Sequence, residues 1–371
     1  MSLNHAQTEA VAHNKGPCMV LAGPGSGKTL TIAKRIEYLI MKHKVRPEEI
    51  LVITFTKYAA WEMKNRTRSI CGPSSYAVTF GTFHGIYYGI LKWAYRLNQS
   101  NLLSDEEKYR ILREILPGID WDQEPEADEE KDYLQELAIE IGNVKNNCMD
   151  IEEYEPVKYT TEKFRKLYRT YEETKKKYRK IDFEDMLIQC RDLFMKRPDI
   201  LKKWQEKFQY ILVDEFQDVN QAQYDVVRML AAPQDNLFVV GDDDQSVYGF
   251  RGAKPGIMKE FMKDYPKARQ ILLDVNYRSS GYIVKGALRV IGNNKIRFEK
   301  KIEAFRKPDE TVHVQEVKDP VQEAEYVLER IREYREKGVS YTEMAVLYRT
   351  NVDARAMSEL MTEYQIPFVM K

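Results

Sequence analysis

The sequence predicts an α/β chain: a doubly wound parallel sheet interrupted by an all-helical block. Three observations carry this. Short apolar runs alternate with amphipathic helical segments over residues 1–97. A glycine-rich turn stands at the first strand-to-helix junction. The alternation stops for residues 98–181 and then resumes. Strand–helix alternation is the signature of parallel sheets, because parallel strands need crossover connections.

The elements follow in order. PCMVLA is a buried strand, followed by the turn and the amphipathic segment TLTIAKRIEYLIMKH. EEILVITF is the second strand and TKYAAWEMKNRTRSI the second helix. YAVTFGTFH is a third strand with its exit loop. Charged helical segments then fill residues 98–181, and the acidic DWDQEPEADEEK reads as a solvated loop. FQYILVDE, NLFVVGD and ARQILLD restore the strands. Beyond Asn276 the pattern predicts a helix, the strand ETVHVQEV, a charged helix, the strand MAVLY, another helix and the strand IPFVM. The expected organisation is one α/β domain from residues 1–97 and 182–276, a helical insertion at 98–181, and part of a second α/β domain at 277–371.

Composition narrows the function classes. The chain has 371 residues, 43% hydrophobic, and 58 basic residues balance 58 acidic ones. A neutral chain attracts nucleic acid only through local patches. Cys18, Cys71, Cys148 and Cys190 form no CxxC pair and read as reduced thiols. His5, His13, His43, His84 and His313 show no metal-binding spacing. No apolar run reaches the ~18 residues of a membrane span, and the N-terminus lacks a signal-peptide core, so a cytoplasmic protein is expected.

AGPGSGKT, Ala22–Thr29, lies where a P-loop must lie. Gly23, Pro24, Gly25, Ser26 and Gly27 form the phosphate-wrapping turn, and the helix N-terminus adds partial positive charge. Lys28 is expected on the β/γ-phosphates of ATP, and Thr29 on Mg²⁺. YILVDEFQD supplies the acidic partner: Asp214 for the metal and Glu215 to activate water. Two further strand exits carry Phe55 and Thr56, then Thr82, Phe83 and His84. Hydroxyls there can meet phosphates, and rings can stack on bases. VVGDDDQSVYGFRGA places three acids, a glutamine, two aromatics and an arginine in one loop. Acids repel phosphate unless a cation intervenes.

The ordered set LNHAQTEAV, AGPGSGKT, TFTKYAAWEMKNR, GTFHG, VDEFQD, VGDDDQSVYGFRGA, NYRSS and AVLYRTNVDAR resembles the UvrD/Rep/PcrA-type superfamily 1A DNA helicases along essentially the whole chain. The resemblance implies a RecA-like fold and a 3′-to-5′ helicase acting on single-stranded DNA and single-strand/duplex junctions. It implies that Gln7 reads adenine, Tyr277 stacks on it and Arg278 meets the γ-phosphate. It assigns Gln245 to sensing that phosphate, and Tyr248, Phe250 and Arg251 to the DNA strand. Asp242 falls near the metal side, while Asp243 and Asp244 read as loop solvation or caps. Lys57 stands where the family has Asn, and Gly85 where it has Ser. Lys145 is a candidate DNA contact, and the run Lys175–Lys180 reads as a solvated helix face. The match stops before motifs V and VI, so the expectation is a fragment that turns over ATP slowly or not at all. A nucleotide-gated single-strand binding module and the motor part of a helicase–nuclease stay open as alternatives.

Overall fold

The computed structural model describes residues 3–370 apart from 120–129, 248, 250, 251, 255, 296 and 308–310. Tyr248, Phe250 and Arg251 therefore lie outside the described residues, as does the acidic loop apart from Glu130 and Lys131. The chain forms two compact units, residues 1–310 and 311–371.

The first unit is built on a six-stranded parallel sheet. Its strands are β1 (Cys18–Ala22), β2 (Ile50–Thr54), β3 (Thr79–Thr82), β4 (Tyr210–Val213), β5 (Leu237–Gly241) and β6 (Arg269–Leu273). They lie in the order β3-β2-β4-β5-β1-β6, every pair parallel. The inner strands β1, β2, β4 and β5 are buried at every residue, which is why they read as continuous apolar runs. Alternate residues point to opposite faces and divide the core in two. Met19, Leu21, Leu51, Ile53, Ile211 and Val213 face one core. Val20, Ala22, Ile50, Val52, Leu212 and Phe238 face the other. The carboxyl ends of β1, β2, β4 and β5 open on one edge of the sheet, the place where such folds bind ligands.

The helical block has its own core. Helices Asp105–Ile115, Glu130–Asn146 and Thr161–Lys177 bury Ile111, Leu112, Leu137, Ile141, Phe164 and Leu167 together. Its entry and exit run side by side: Leu103 N donates to Ile181 O, and Ile181 N to Asn101 O, both at 2.8 Å. The block is therefore an insertion pinned at its neck.

Lys175 is not on a solvated face, and Lys145 does not reach toward a strand of DNA. Both ammonium groups are buried among Glu172, Asp182 and Asp185, at 2.5–2.8 Å. A run of lysines looks solvated only while the acids that meet it, one helix away, are unplaced.

NYRSS lies within a strand. β7 (Val275–Ser280) pairs in parallel with β8 (Glu303–Arg306) around the helix Gly281–Ile291. In the second unit, helices Pro320–Glu336 and Ala354–Glu363 pack through Leu328, Ile331 and Met361, joined by Ile366 just beyond the second helix. The strands expected at ETVHVQEV, MAVLY and IPFVM are not formed among the described residues. Val314 and Leu347 are each 94% exposed. Strand propensity is realised only against a neighbour, and no strand of this unit supplies one among the described residues.

Candidate active site

The turn after β1 needs its glycines. Gly25 and Gly27 have φ of +65° and +85°, the left-handed region that favours glycine. A Cβ on Gly25 would lie 2.7 Å from the Arg278 Cβ, so β7 presses against this turn. Tyr277 N donates to Gly25 O at 3.0 Å. The turn ends at the N-terminus of helix Lys28–Met41, where Gly27 offers no capping side chain.

Gln7 closes the turn from the other side. Its Nε2 donates to Ser26 O at 2.9 Å, and its Oε1 accepts from Asn4 N at 3.0 Å. One N–H and one lone pair remain for an adenine edge. Asn4 Nδ2 donates to the Tyr277 hydroxyl at 2.9 Å, which brings the two residues assigned to adenine into one network. The Tyr277 ring stands 5.1 Å from that of Phe305, and Arg278 is exposed beside the turn.

The acids after β4 face this turn. Lys28 Nζ lies 3.0 Å from Glu215 Oε2. Glu215 itself sits at φ +50°, a conformation a non-glycine residue keeps only when its surroundings impose it. Burial pushes the Asp214 carboxyl up to about 7, the Glu215 charge adds to this, and Lys28 opposes it. A divalent cation would relieve that penalty, so the Asp214 carboxylate fits a Mg²⁺ ligand.

A relay runs from these acids to the loop after β5. Gln217, 4% exposed, donates to Glu215 Oε2 at 3.0 Å and to Asp218 Oδ2 at 3.2 Å. Its Oε1 accepts from Asp242 N at 3.0 Å. A Cβ on Gly241 would lie 2.7 Å from that oxygen, so glycine is needed at the close approach. Asp242 Oδ2 in turn accepts from Gln245 Nε2 at 2.6 Å. The structure thus connects Lys28 to Gln245 through Glu215, Gln217 and Asp242.

A cavity of about 520 Å³ opens between the sheet edge and the helical insertion. Phe55, Phe83, His84, Phe183, Asn143 and Asp218 are among its lining residues. Phe83 is 2% exposed and belongs to the core, so it forms the floor and offers no free face for a base. Phe183 is 47% exposed, and its ring stands edge-on to His84 at 5.8 Å. Thr56 and Thr82 cap helices: Thr56 accepts from Ala59 N at 3.0 Å and Thr82 from Gly85 N at 3.1 Å. Capping uses a lone pair and leaves each hydroxyl proton for a phosphate.

Residues 3–266 match the model of the UvrD/REP helicase N-terminal domain, and residues 271–371 that of the UvrD-like helicase C-terminal domain. The chain belongs to the UvrD/REP helicase family. A protein of Bacillus subtilis named "Putative ATP-dependent DNA helicase YjcD" is 39% identical over 99% of this chain and 48% of its own length. The ATP-dependent DNA helicase PcrA of Staphylococcus aureus is 35% identical over 99% of this chain and 50% of its own length. The chain spans about half the length of the curated relatives it matches.

In this UvrD/REP chain the motif residues Lys28, Glu215, Gln245 and those of the P-loop gather at one sheet edge, with Phe55 and His84 along the adjoining cavity. Gln217 lies within VDEFQD with no role assigned to it there, and Phe183 had none either. Lys300 and Arg297 carried no signal at all, being more than fifty residues from the acids they meet.

Proposed function

We propose that this chain is the ATP-hydrolysing, strand-gripping portion of a 3′-to-5′ DNA helicase, in which Mg²⁺-ATP turnover drives movement along single-stranded DNA. The observation that carries the reading is the position of Gln217. One amide group touches Glu215, at the nucleotide turn, and Asp218, which lines the cavity. A change in phosphate occupancy at one end therefore reaches the strand site through a single side chain.

The residues divide the work as follows. The backbone of Gly23 to Gly27 wraps the phosphates, and Lys28 leaves Glu215 to meet them. Bound magnesium supplies charge neutralisation on the phosphate oxygens. Glu215, released from Lys28, orients the attacking water, and Arg278 stabilises charge on the departing phosphoryl group. Gln7 and Tyr277 hold the adenine. Phe55, His84 and the exposed ring of Phe183 receive bases, while the Thr56 and Thr82 hydroxyls meet the backbone. Single strands and single-strand/duplex junctions are the substrates this arrangement suits.

The test is ATPase turnover with and without single-stranded DNA, alongside single-strand affinity with and without a non-hydrolysable ATP analogue. Turnover stimulated by DNA and abolished by Glu215→Gln supports the reading. Nucleotide-dependent DNA binding without any turnover would replace it with a gated binding module.

A further inference from the structure

The three aspartates after β5 pose a charge problem for a nucleotide site, and the fold answers it from a distant segment. Lys300 is buried, and its Nζ lies 2.5 Å from Asp242 Oδ1, 2.5 Å from Asp243 Oδ1 and 2.8 Å from Asp244 Oδ2. Arg297 grips Asp244 through both oxygens, at 2.8 and 2.6 Å. Phe298 N donates to Asp243 Oδ2 at 2.7 Å. Two cations thus face three carboxylates, leaving one net negative charge. Three acids this close could pass for a cation site, but the lysine ammonium already occupies their centre.

The same segment touches the phosphate turn. Ile302, two residues beyond Lys300, packs on Gly23 so closely that a Cβ there would lie 2.8 Å from its Cδ1. Residues 297–302 therefore bridge the turn after β1 and the loop after β5. The consequence falls on Gln245. Asp242 gives one oxygen to Lys300 and the other to the Gln245 amide. With Asp242 fixed, the amide is fixed, and its second N–H stays available to a phosphate oxygen.

We propose that Lys300, supported by Arg297, is a positioning residue for ATP hydrolysis: it neutralises the Asp242–Asp244 triad and so presents Gln245 to the terminal phosphate. This rests on the reading of the site as an ATPase with Gln245 toward that phosphate. ADP lacks the terminal phosphate, so loss of Lys300 weakens ATP far more than ADP. The uncompensated acids repel the terminal phosphate, and the Gln245 amide loses its anchored acceptor.

The experiment compares wild type, Lys300→Met, Lys300→Arg and Lys300→Met/Asp243→Asn in the full chain. It measures affinity for ADP and for a non-hydrolysable ATP analogue, and kcat and KM with saturating single-stranded DNA. The expected result is a loss of about tenfold or more in kcat and in analogue affinity for K300M, with ADP affinity within about twofold of wild type. K300R recovers most of the loss. So does the double variant, which restores the wild-type charge balance and carries the comparison if K300M alone does not fold. Equal losses for ADP and the analogue, wild-type kcat in folded K300M, or no recovery in either companion overturns the proposal. Failure of the wild-type chain to hydrolyse ATP, with single-stranded DNA present, overturns the ATPase reading itself, a different outcome.

Discussion

Lys28 Nζ lies 3.0 Å from Glu215 Oε2, so the cation of the glycine-rich turn and the carboxylate proposed to orient water hold one another. ATP must part them. Glu215→Gln is therefore expected to reduce turnover by about 10²–10⁴-fold while leaving nucleotide affinity unchanged or higher, because Lys28 is freed for phosphate. Lys28→Ala is expected to lose nucleotide affinity by about tenfold or more, since a charge-assisted contact to phosphate disappears. Nucleotide titration beside steady-state ATPase separates the two. Equal loss of affinity in both variants would contradict the exchange.

Gln217 spans Glu215 and Asp218 with one amide and Asp242 with its carbonyl. Gln217→Ala is expected to lower DNA-stimulated turnover by about tenfold, with basal turnover and DNA affinity changed much less. The ratio of stimulated to basal ATPase is the measurement. An unchanged ratio would show that the relay carries no coupling.

Phe183 is the exposed ring of the cavity, and its removal disturbs little of the core. Phe183→Ala is expected to weaken single-strand binding by about 1–3 kcal/mol, the usual worth of one base stacked on an aromatic ring, with ATP affinity unchanged. Phe183→Trp should retain binding. Fluorescence anisotropy with a labelled oligonucleotide reads both.

Asp218 lines the same cavity, and burial, with the Glu215 charge adding, lifts its carboxyl to about 6. It is charged above that value and neutral below it. Single-strand affinity should therefore rise as pH falls through about 6, because a negative group facing the phosphates is lost. His84 acts in the same sense, since burial lowers its pKa and protonation comes only on acidification. Asp218→Asn should flatten the dependence between pH 7 and the His84 titration. A slope unchanged in that variant would assign the effect to His84 alone.

Lys145 and Lys175 share Asp182 and Asp185 at the base of the helical insertion, where Lys108 also meets Glu184 at 3.0 Å. Deleting one cation leaves buried carboxylates without compensation. Lys175→Met is expected to cost about 3–5 kcal/mol of stability, and Lys145→Met a similar amount. Thermal melting tests this, and a change under 1 kcal/mol would mean that water reaches the cluster.

The chemistry-bearing residues were legible because they are local. A strand that must be apolar, a turn that must bend and a helix that must start at Lys28 together leave a signature within AGPGSGKT. The division of β1, β2 and β4 between two cores follows from the strand period of two, but in continuously apolar runs it shows only once both faces are packed. Lys175 was misread because its partners Asp182 and Asp185 come after the helix ends, and a solvated face looks the same one residue at a time. ETVHVQEV, MAVLY and IPFVM have the composition of strands, but a ladder needs a second chain segment that composition does not reveal.

By itself the sequence determined the parallel α/β class, the P-loop, the acids after β4 and the membership that their order implies, since each depends on neighbours in the chain. Only the tertiary structure decided what neutralises the three aspartates, what connects Glu215 to Gln245, and which aromatic ring stands open in the cavity. Those depend on side chains brought together from far along the chain, and electrostatic and packing energies fall off with distance in space, not with separation in sequence.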